Sequence, residues 1–101
     1  MIVSLIATLT ARPETREELF RLLVDQVGLT RAEHGCINYN LHVDASDPYV
    51  FVFYENWQSQ ADLDAHMKMP HLKPLLSQID RLLAKPIEMW RLHPTEPAAT
   101  G

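Results

Sequence analysis

The chain has 101 residues, of which 47% are apolar and 22% charged, and its formal net charge is −4. This length fits one domain, and the composition excludes an intrinsically disordered protein. Acidic residues outnumber scattered basic ones, thirteen to nine, so we expect no nucleic-acid partner. No apolar stretch approaches the roughly 20 residues of a membrane span, so we expect no membrane association. The single cysteine, Cys36, cannot form an intrachain disulfide, which favours a cytoplasmic location.

The first third of the chain predicts a strand followed by a long helix. Residues 2–9 suit a pleated surface, with apolar side chains at alternating positions. Thr15 and Glu18 have the spacing of a capping box, and apolar residues then recur at helical spacing as far as Glu33. Gly35 is expected to end this helical segment.

The middle of the chain predicts a β-hairpin. After Gly35 the apolar period changes to two, with Ile37, Tyr39, Leu41 and Val43 alternating with Cys36, Asn38, Asn40 and His42. Residues 44–48 are rich in turn formers and lead into a third strand at 49–57. This strand is apolar on both faces.

The last third predicts two helices and a strand. Ser59 is expected to cap a short helix that Pro70 ends. A second helix is expected to bury an apolar stripe from Leu72 to Leu83, and a last strand runs from Pro86 to Leu92. The sequence therefore predicts one domain at 1–93 and a flexible tail at 94–101.

The order of the predicted elements is βαββαβ, which is typical of a ferredoxin-like α+β sandwich. Helices can cover one face of such a sheet, whereas the third strand is apolar on both faces. A second copy of the same sheet would cover the other face. The pattern therefore favours a homodimer with sheet-to-sheet packing.

Several side chains of the third strand are candidates for a binding site. Residues two apart on a strand share a face, and the residues on this face are Phe51, Phe53, Glu55 and Trp57. A carboxylate on an aromatic face must be paired, protonated or solvated. Glu55 is therefore either the partner of a buried donor or a residue that orients a ligand in an apolar cavity.

Two histidines and the second strand supply further candidates. His66, at the edge of an apolar helical stripe, is either a surface histidine without a role or a partly buried general base. His66 and His71 are five residues apart, whereas helical metal ligands are three or four apart, so we expect no metal site. Asn38 and Tyr39 point to opposite faces of their strand, so only one of them can line a pocket.

Four short motifs resemble the antibiotic-biosynthesis monooxygenase domain, especially its small bacterial quinol-monooxygenase-like members. The resemblance covers about residues 2–92, in this order: Gly35-Cys36 with Tyr39 and Val43-Asp44, Glu55-x-Trp57-x-Ser59, Leu63-x-Ala65-His66, and Pro70-His71-Leu72-Lys73. The resemblance implies a dimeric α+β barrel with a pocket between the sheet and the helices of each protomer.

The resemblance also implies an activity, the oxidation of small quinols or polyphenols to quinones by O₂ without metal, flavin or haem. An electron-rich aromatic ring, once deprotonated, can itself transfer an electron to oxygen. The residues expected to take part are His66 as proton acceptor, Glu55 or Asn38 as the group that holds a hydroxyl, Trp57, Phe53 and Phe51 as the wall, and Tyr39 and His71 as further binding residues. A small-ligand-binding module without turnover and an isomerase of the same superfamily are the alternatives.

Overall fold

Four strands and four α-helices form two layers in the computed structural model, which describes residues 1–96. The elements are β1 (Val3–Thr10), α1 (Arg16–Arg31), β2 (Cys36–Val43), β3 (Val50–Trp57), α2 (Gln60–His66), α3 (Lys73–Leu76), α4 (Ile79–Leu82) and β4 (Glu88–Leu92), with 3₁₀ turns at Pro13–Thr15 and Pro70–Leu72. Of the tail predicted at 94–101, residues 97–101 lie outside the described residues. Within residues 1–96, no helix is long and apolar enough to cross a membrane.

The strands form one antiparallel sheet in the order β2-β3-β1-β4. This order, with helices packed on one face, confirms the predicted ferredoxin-like α+β fold. The alternation predicted for β1 and β3 is confirmed, because Val3 and Leu5 are buried with Phe53 and Trp57. We call this helix-covered side of the sheet the inner face. Leu19 of α1 is fully buried in the same core.

One irregularity in β2 changes which of its residues face the core. The pairing with β3 shifts between Cys36, opposite Trp57, and Asn38, opposite Asn56, so that Ile37 is the extra residue of a β-bulge. Ile37 is consequently exposed on the outer face rather than sharing the inner face with Tyr39. The simple alternation predicted for this strand was therefore wrong at Ile37 and Cys36.

The capping box predicted at the start of α1 is absent. The Thr15 hydroxyl donates to the backbone carbonyl of Leu82 at 2.7 Å, which ties the helix start to α4. Glu18 pairs instead with Arg81. By contrast, the predicted cap of α2 is confirmed, because the Ser59 hydroxyl accepts from the Asp62 amide at 3.1 Å.

The second helical region consists of short pieces rather than the single helix predicted from Leu72 to Leu83. α2 ends at His66, a 3₁₀ turn begins at Pro70, and Pro74 lies in the first turn of α3. Proline lacks an amide hydrogen and disfavours helix in the preceding residue, which accounts for the break before Pro70. The second break, at residues 77–78 between α3 and α4, contains no proline. The break before Pro70 turns the chain back after His66, which places His71 close to it.

Candidate active site

A small cavity lies between the inner face of the sheet and the short helices. Its volume is about 60 Å³, which is room for a few water molecules. Its lining combines apolar side chains with one carboxylate and one imidazole: Leu5, Ala7, Leu9, Tyr39, Phe53, Glu55, His66, Met67, Leu72, Leu75, Leu76, Ile87 and Met89. Larger depressions of about 480 and 590 Å³ lie elsewhere on the surface, but neither is lined by a buried titratable side chain. We therefore place the candidate site at the small cavity.

Aromatic rings form the floor of the cavity around His66. Tyr39 stacks on Phe53 with ring centroids 4.5 Å apart. The His66 ring lies 5.6 Å from Tyr39 and 4.8 Å from Trp57. Trp57 is fully buried and packs behind His66 rather than lining the cavity. The imidazole is thus held between apolar surfaces.

Glu33, in the turn after α1, binds both histidines. Its Oε2 atom lies 2.8 Å from Nδ1 of His66 and 2.8 Å from Nε2 of His71. The side chains of Glu33 and His66 are 6% and 3% exposed, so these bonds are shielded from water. Buried hydrogen bonds to a charged group are among the stronger ones in proteins. Glu33 therefore fixes the orientation of the His66 ring.

Gln26 of α1 determines which nitrogen of His71 carries a proton. The Gln26 Nε2 group donates to the backbone carbonyl of His71 at 2.7 Å, because a carbonyl can only accept. The Oε1 atom of Gln26 must then face His71 Nδ1, 2.6 Å away, so Nδ1 donates. When Glu33 is ionised, its Oε2 atom accepts from His71 Nε2 and from His66 Nδ1.

This arrangement leaves His66 with one unused ring nitrogen. With its proton on Nδ1, neutral His66 has a lone pair on Nε2, and this atom has no hydrogen-bond partner within residues 1–96. Burial lowers the pKa of His66 because it desolvates the imidazolium, although the bond to Glu33 opposes this effect. A neutral, oriented imidazole beside a cavity can accept a proton.

Glu55 is the second titratable group that lines the cavity. It is 3% exposed, and its Oε1 atom accepts from the Trp57 indole at 3.0 Å. Burial raises the pKa of Glu55 to about 7, although the hydrogen bond from Trp57 opposes this effect. Glu55 is thus both the partner of a buried donor and a cavity residue, and it can hold or release a proton near neutral pH.

The raised pKa predicts that Glu55 makes stability depend on pH. The folded protein retains a proton, with a pKa of about 7, that the unfolded chain releases near the ordinary value of 4.5. This contribution is fully present below pH 4.5 and is lost as pH rises through 7, by at most roughly 3 kcal/mol. Glu55→Gln, which keeps an acceptor for Trp57, should therefore be more stable than the wild type at pH 9.

Urea unfolding at pH 5 and pH 9 measures this effect. Glu14→Gln is the matched control, because Glu14 is an exposed carboxylate that should leave the pH dependence unchanged. An equal loss of stability between the two pH values in wild type and Glu55→Gln would contradict the assignment.

The structure brings together only some of the residues predicted for the site. His66, Glu55, Phe53 and Tyr39 line the cavity, and Trp57 and His71 support His66. Asn38 lies on the outer face, where its side chain accepts from Asn56, so Tyr39 is the β2 residue that points inward. Phe51 is buried at the far end of the inner face, stacked on Phe20.

Sequence reasoning missed Glu33 and Gln26. A signal was present for Gln26, which occurs one turn after Leu23 on the buried stripe of α1 and is 3% exposed. A polar side chain at such a position needs a buried partner. Glu33 follows the end of α1 and carries no helical signal of this kind.

Three donor atoms in this cluster could hold a metal ion. Glu33, His66 and His71 each offer one ligand atom, and these atoms lie within 4.8 Å of one another. A spacing of five residues separates two side chains only on an unbroken helix. The helix ends at His66, so the spacing rule does not apply.

Comparisons with known proteins agree with this fold. The sequence profile described as antibiotic biosynthesis monooxygenase matches residues 2–75. The chain is 34% identical over 97 residues to the Mycobacterium tuberculosis protein named "Putative monooxygenase Rv0793", covering 96% of this chain and 95% of that protein. The structure of Rv0793 superposes with a TM-score of 0.92 at 33% identity, covering 98% of this chain and 100% of that one.

Two further relatives extend the comparison. The structure of PA3566 from Pseudomonas aeruginosa has a TM-score of 0.88 at 34% identity and covers 94% of this chain and 95% of that one. The uncharacterized protein sll1783 of Synechocystis is 33% identical over 78 residues, which are 77% of this chain and 53% of that protein. The site and the fold are those of a small α+β domain with a buried histidine. The chain belongs to the antibiotic biosynthesis monooxygenase family.

Proposed function

We propose that this protein is a cofactor-independent monooxygenase that oxidises a small quinol or related phenol to a quinone with O₂. The observation that carries the proposal concerns the two ring nitrogens of His66. Nδ1 is hydrogen-bonded to Glu33, whereas Nε2 has no hydrogen-bond partner among the described residues 1–96, and the ring lies beside Tyr39 and Trp57. Membership of the family supports the reaction class. The name of Rv0793 indicates the same class for that protein.

The substrate supplies all the electrons in this reaction. One oxygen atom of O₂ enters the ring and the other leaves as water, which reduces O₂ by four electrons. Conversion of a quinol to a hydroxyquinone, or of a phenol to a quinone, releases these four electrons, so no external reductant is needed. The protein has to exclude water, orient the ring and accept a proton.

Each of these tasks falls to a residue of the cavity. His66 Nε2 accepts the phenolic proton and forms the electron-rich phenolate, which donates an electron to O₂. Glu55 holds a ring hydroxyl, and Tyr39 remains a neutral donor because burial raises the pKa of its phenol. Phe53 and Tyr39 provide the flat wall against which a substrate ring stacks.

The side chains at the rim of the cavity can move to admit an aromatic ring that is larger than the present cavity. Met67, Leu76 and Met89 are 41%, 40% and 51% exposed and border the cavity. Methionine has three rotatable bonds and adapts its shape to apolar partners. Rotation of these side chains widens the mouth without moving the sheet.

Oxygen uptake by metal-stripped protein tests the proposal. We expect consumption above protein-free autoxidation with at least one member of a panel of hydroquinones and naphthohydroquinones, and incorporation of label from ¹⁸O₂ into the quinone. Accumulation of one equivalent of H₂O₂ without label in the product would indicate an oxidase instead. No protein-dependent uptake across the panel would contradict the proposal and favour an isomerase or a binding module.

We also propose that the protein is a cytoplasmic homodimer. The outer face of the sheet carries half-exposed apolar side chains, at Ile2, Ile37, Tyr54, Trp90 and Leu92. Exposed apolar patches of this kind mark association surfaces, and a second copy packed sheet to sheet would bury them. Sedimentation velocity should give the mass of a dimer; a monomer at micromolar concentration would contradict this.

Fractionation of the source cells tests the proposed cytoplasmic location.

A further inference from the structure

We propose that Glu33, His66 and His71 bind one divalent late first-row transition-metal ion, such as Zn²⁺. The donor atoms are Glu33 Oε2, His66 Nδ1 and His71 Nε2, and they lie within 4.8 Å of one another. Imidazole nitrogens suit zinc, copper, iron and nickel, and two histidines with one carboxylate form a recurrent ligand set for such ions. Magnesium and calcium, which prefer oxygen ligands, do not fit this set.

The donor atoms need only a small adjustment to reach bonding geometry. Ligand bonds of about 2.0–2.2 Å place the donors of a tetrahedral site roughly 3.3–3.5 Å apart. Glu33 Oε2 is now 2.8 Å from each histidine nitrogen, which is hydrogen-bond distance. Side-chain rotations create the site if they open these two contacts by about half an ångström and bring the two histidine nitrogens, which lie within 4.8 Å of each other, to the same separation.

Gln26 already orients His71 as a metal ligand. Its Oε1 atom accepts from His71 Nδ1 at 2.6 Å, and its Nε2 group is anchored on the His71 carbonyl at 2.7 Å. Histidines that bind metals usually donate their other ring N–H to an oxygen in this manner, which fixes the tautomer. The other ring nitrogen, Nε2, faces Glu33, and after loss of its proton it would present a lone pair to an ion bound there.

The local charge also favours a cation. Glu33 is 6% exposed, and within residues 1–96 its ion pairs are with the two histidines, not with lysine or arginine. Glu55 lies close enough that the Glu33 charge raises its pKa. Burial of a carboxylate is costly without a compensating positive charge. A divalent ion bound between Glu33 and the two histidines would supply this charge.

Metal binding has a consequence that rests on the proposed function. An ion on Nδ1 of His66 leaves the ring proton of the neutral histidine on Nε2. The metal-loaded protein then lacks the proton acceptor, so Zn²⁺ should inhibit oxygen uptake over the same concentration range in which it binds.

Titration of metal-stripped protein with Co²⁺, followed by displacement with Zn²⁺, tests the site. We expect one Co²⁺ per chain, with visible absorption typical of a tetrahedral or five-coordinate N/O site, and loss of that spectrum when Zn²⁺ is added. Glu33→Gln and His71→Asn should each weaken Co²⁺ binding by at least about 100-fold. His34→Asn is the matched control, because the side chain of His34 is 96% exposed and should not affect binding.

Three outcomes would overturn the metal site. These are the absence of saturable binding by the wild type, equal binding by wild type and both ligand variants, and loss of binding in His34→Asn. Circular dichroism identifies a variant that fails to fold. If one ligand variant does not fold, Co²⁺ binding by the other ligand variant tests the site. The Co²⁺ spectrum needs no turnover, so a protein that binds Co²⁺ but consumes no oxygen retains the metal site and overturns the proposed function.

Discussion

Replacing His66 by asparagine should reduce kcat for oxygen-dependent quinol oxidation by about 10²–10⁴-fold, the usual contribution of a positioned general base. The asparagine amide can still donate to Glu33, in the place of Nδ1, but it has no atom at the position of Nε2. The variant therefore removes the proton acceptor and retains the contact that holds the side chain. Oxygen-electrode kinetics on metal-stripped protein measure the effect.

Measurements of both ligand binding and activity distinguish a role of His66 in proton transfer from a role in ligand binding. The variant should retain binding of the quinone product, measured by quenching of tryptophan fluorescence in a Trp90→Phe background that leaves Trp57 as the reporter, because the aromatic wall is unchanged. His34→Asn, at an exposed histidine, should retain full activity. Equal rates in the wild type and His66→Asn would contradict the role of His66 as proton acceptor, even if the protein is an oxygenase.

Replacing Gly35 by alanine should lower the free energy of unfolding by about 2–4 kcal/mol. Gly35 has a φ angle of 81°, which costs an alanine roughly 1–2 kcal/mol. A Cβ atom here would also lie 2.2 Å from Cγ of Asp62. Asp62 cannot easily move away, because its carboxylate accepts from the Ser59 hydroxyl at the start of α2. The overlap adds an overpacking cost to the backbone cost.

Gly28 provides the control for this prediction. A Cβ atom at Gly28, on α1, meets nothing within 4 Å, so Gly28→Ala should raise stability by about 0.5–1 kcal/mol. Urea unfolding measures both variants. The addition of Asp62→Ala to Gly35→Ala should recover only part of the overpacking cost, because the Cβ atom of residue 62 remains and would still overlap the new one. A Gly35→Ala protein as stable as the wild type would show that the turn rearranges without cost.

The fold could be predicted from the sequence where interactions between residues close in the chain determine it. The alternation in β1 and β3 and the cap at Ser59 each depend on neighbouring residues, and both are confirmed, whereas α1 ends at Arg31 rather than at Gly35. The bulge at Ile37 was not predictable in this way, because it depends on how β2 pairs with β3. The capping-box prediction at Thr15 failed for a similar reason, since α4 offered its hydroxyl a tertiary partner.

The site was only partly predictable, because its polar bonds join distant parts of the chain. The spacing of Glu55 and Trp57 on one strand correctly indicated a shared face and a buried donor. The bonds from Glu33 to His66 and His71 span 33 and 38 residues, and no local pattern encodes them. His71 reaches Glu33 because α2 ends at His66 and a 3₁₀ turn begins at Pro70; the sequence predicted this break but not the contact that results from it.

The chain segment that carries His71 also forms part of the wall of the cavity, which couples ligand entry to the hydrogen bonding of Glu33. Residues 67–76 carry His71 and also contribute rim and lining side chains, including Met67, Leu72 and Leu76. A ligand too large for side-chain rotation alone must push this segment outward, which stretches the bond between His71 and Glu33. Glu33 then has His66 as its remaining histidine partner. Entry of a large ligand would thus change the hydrogen bonding of Glu33, which orients the proton acceptor His66, before any chemistry begins.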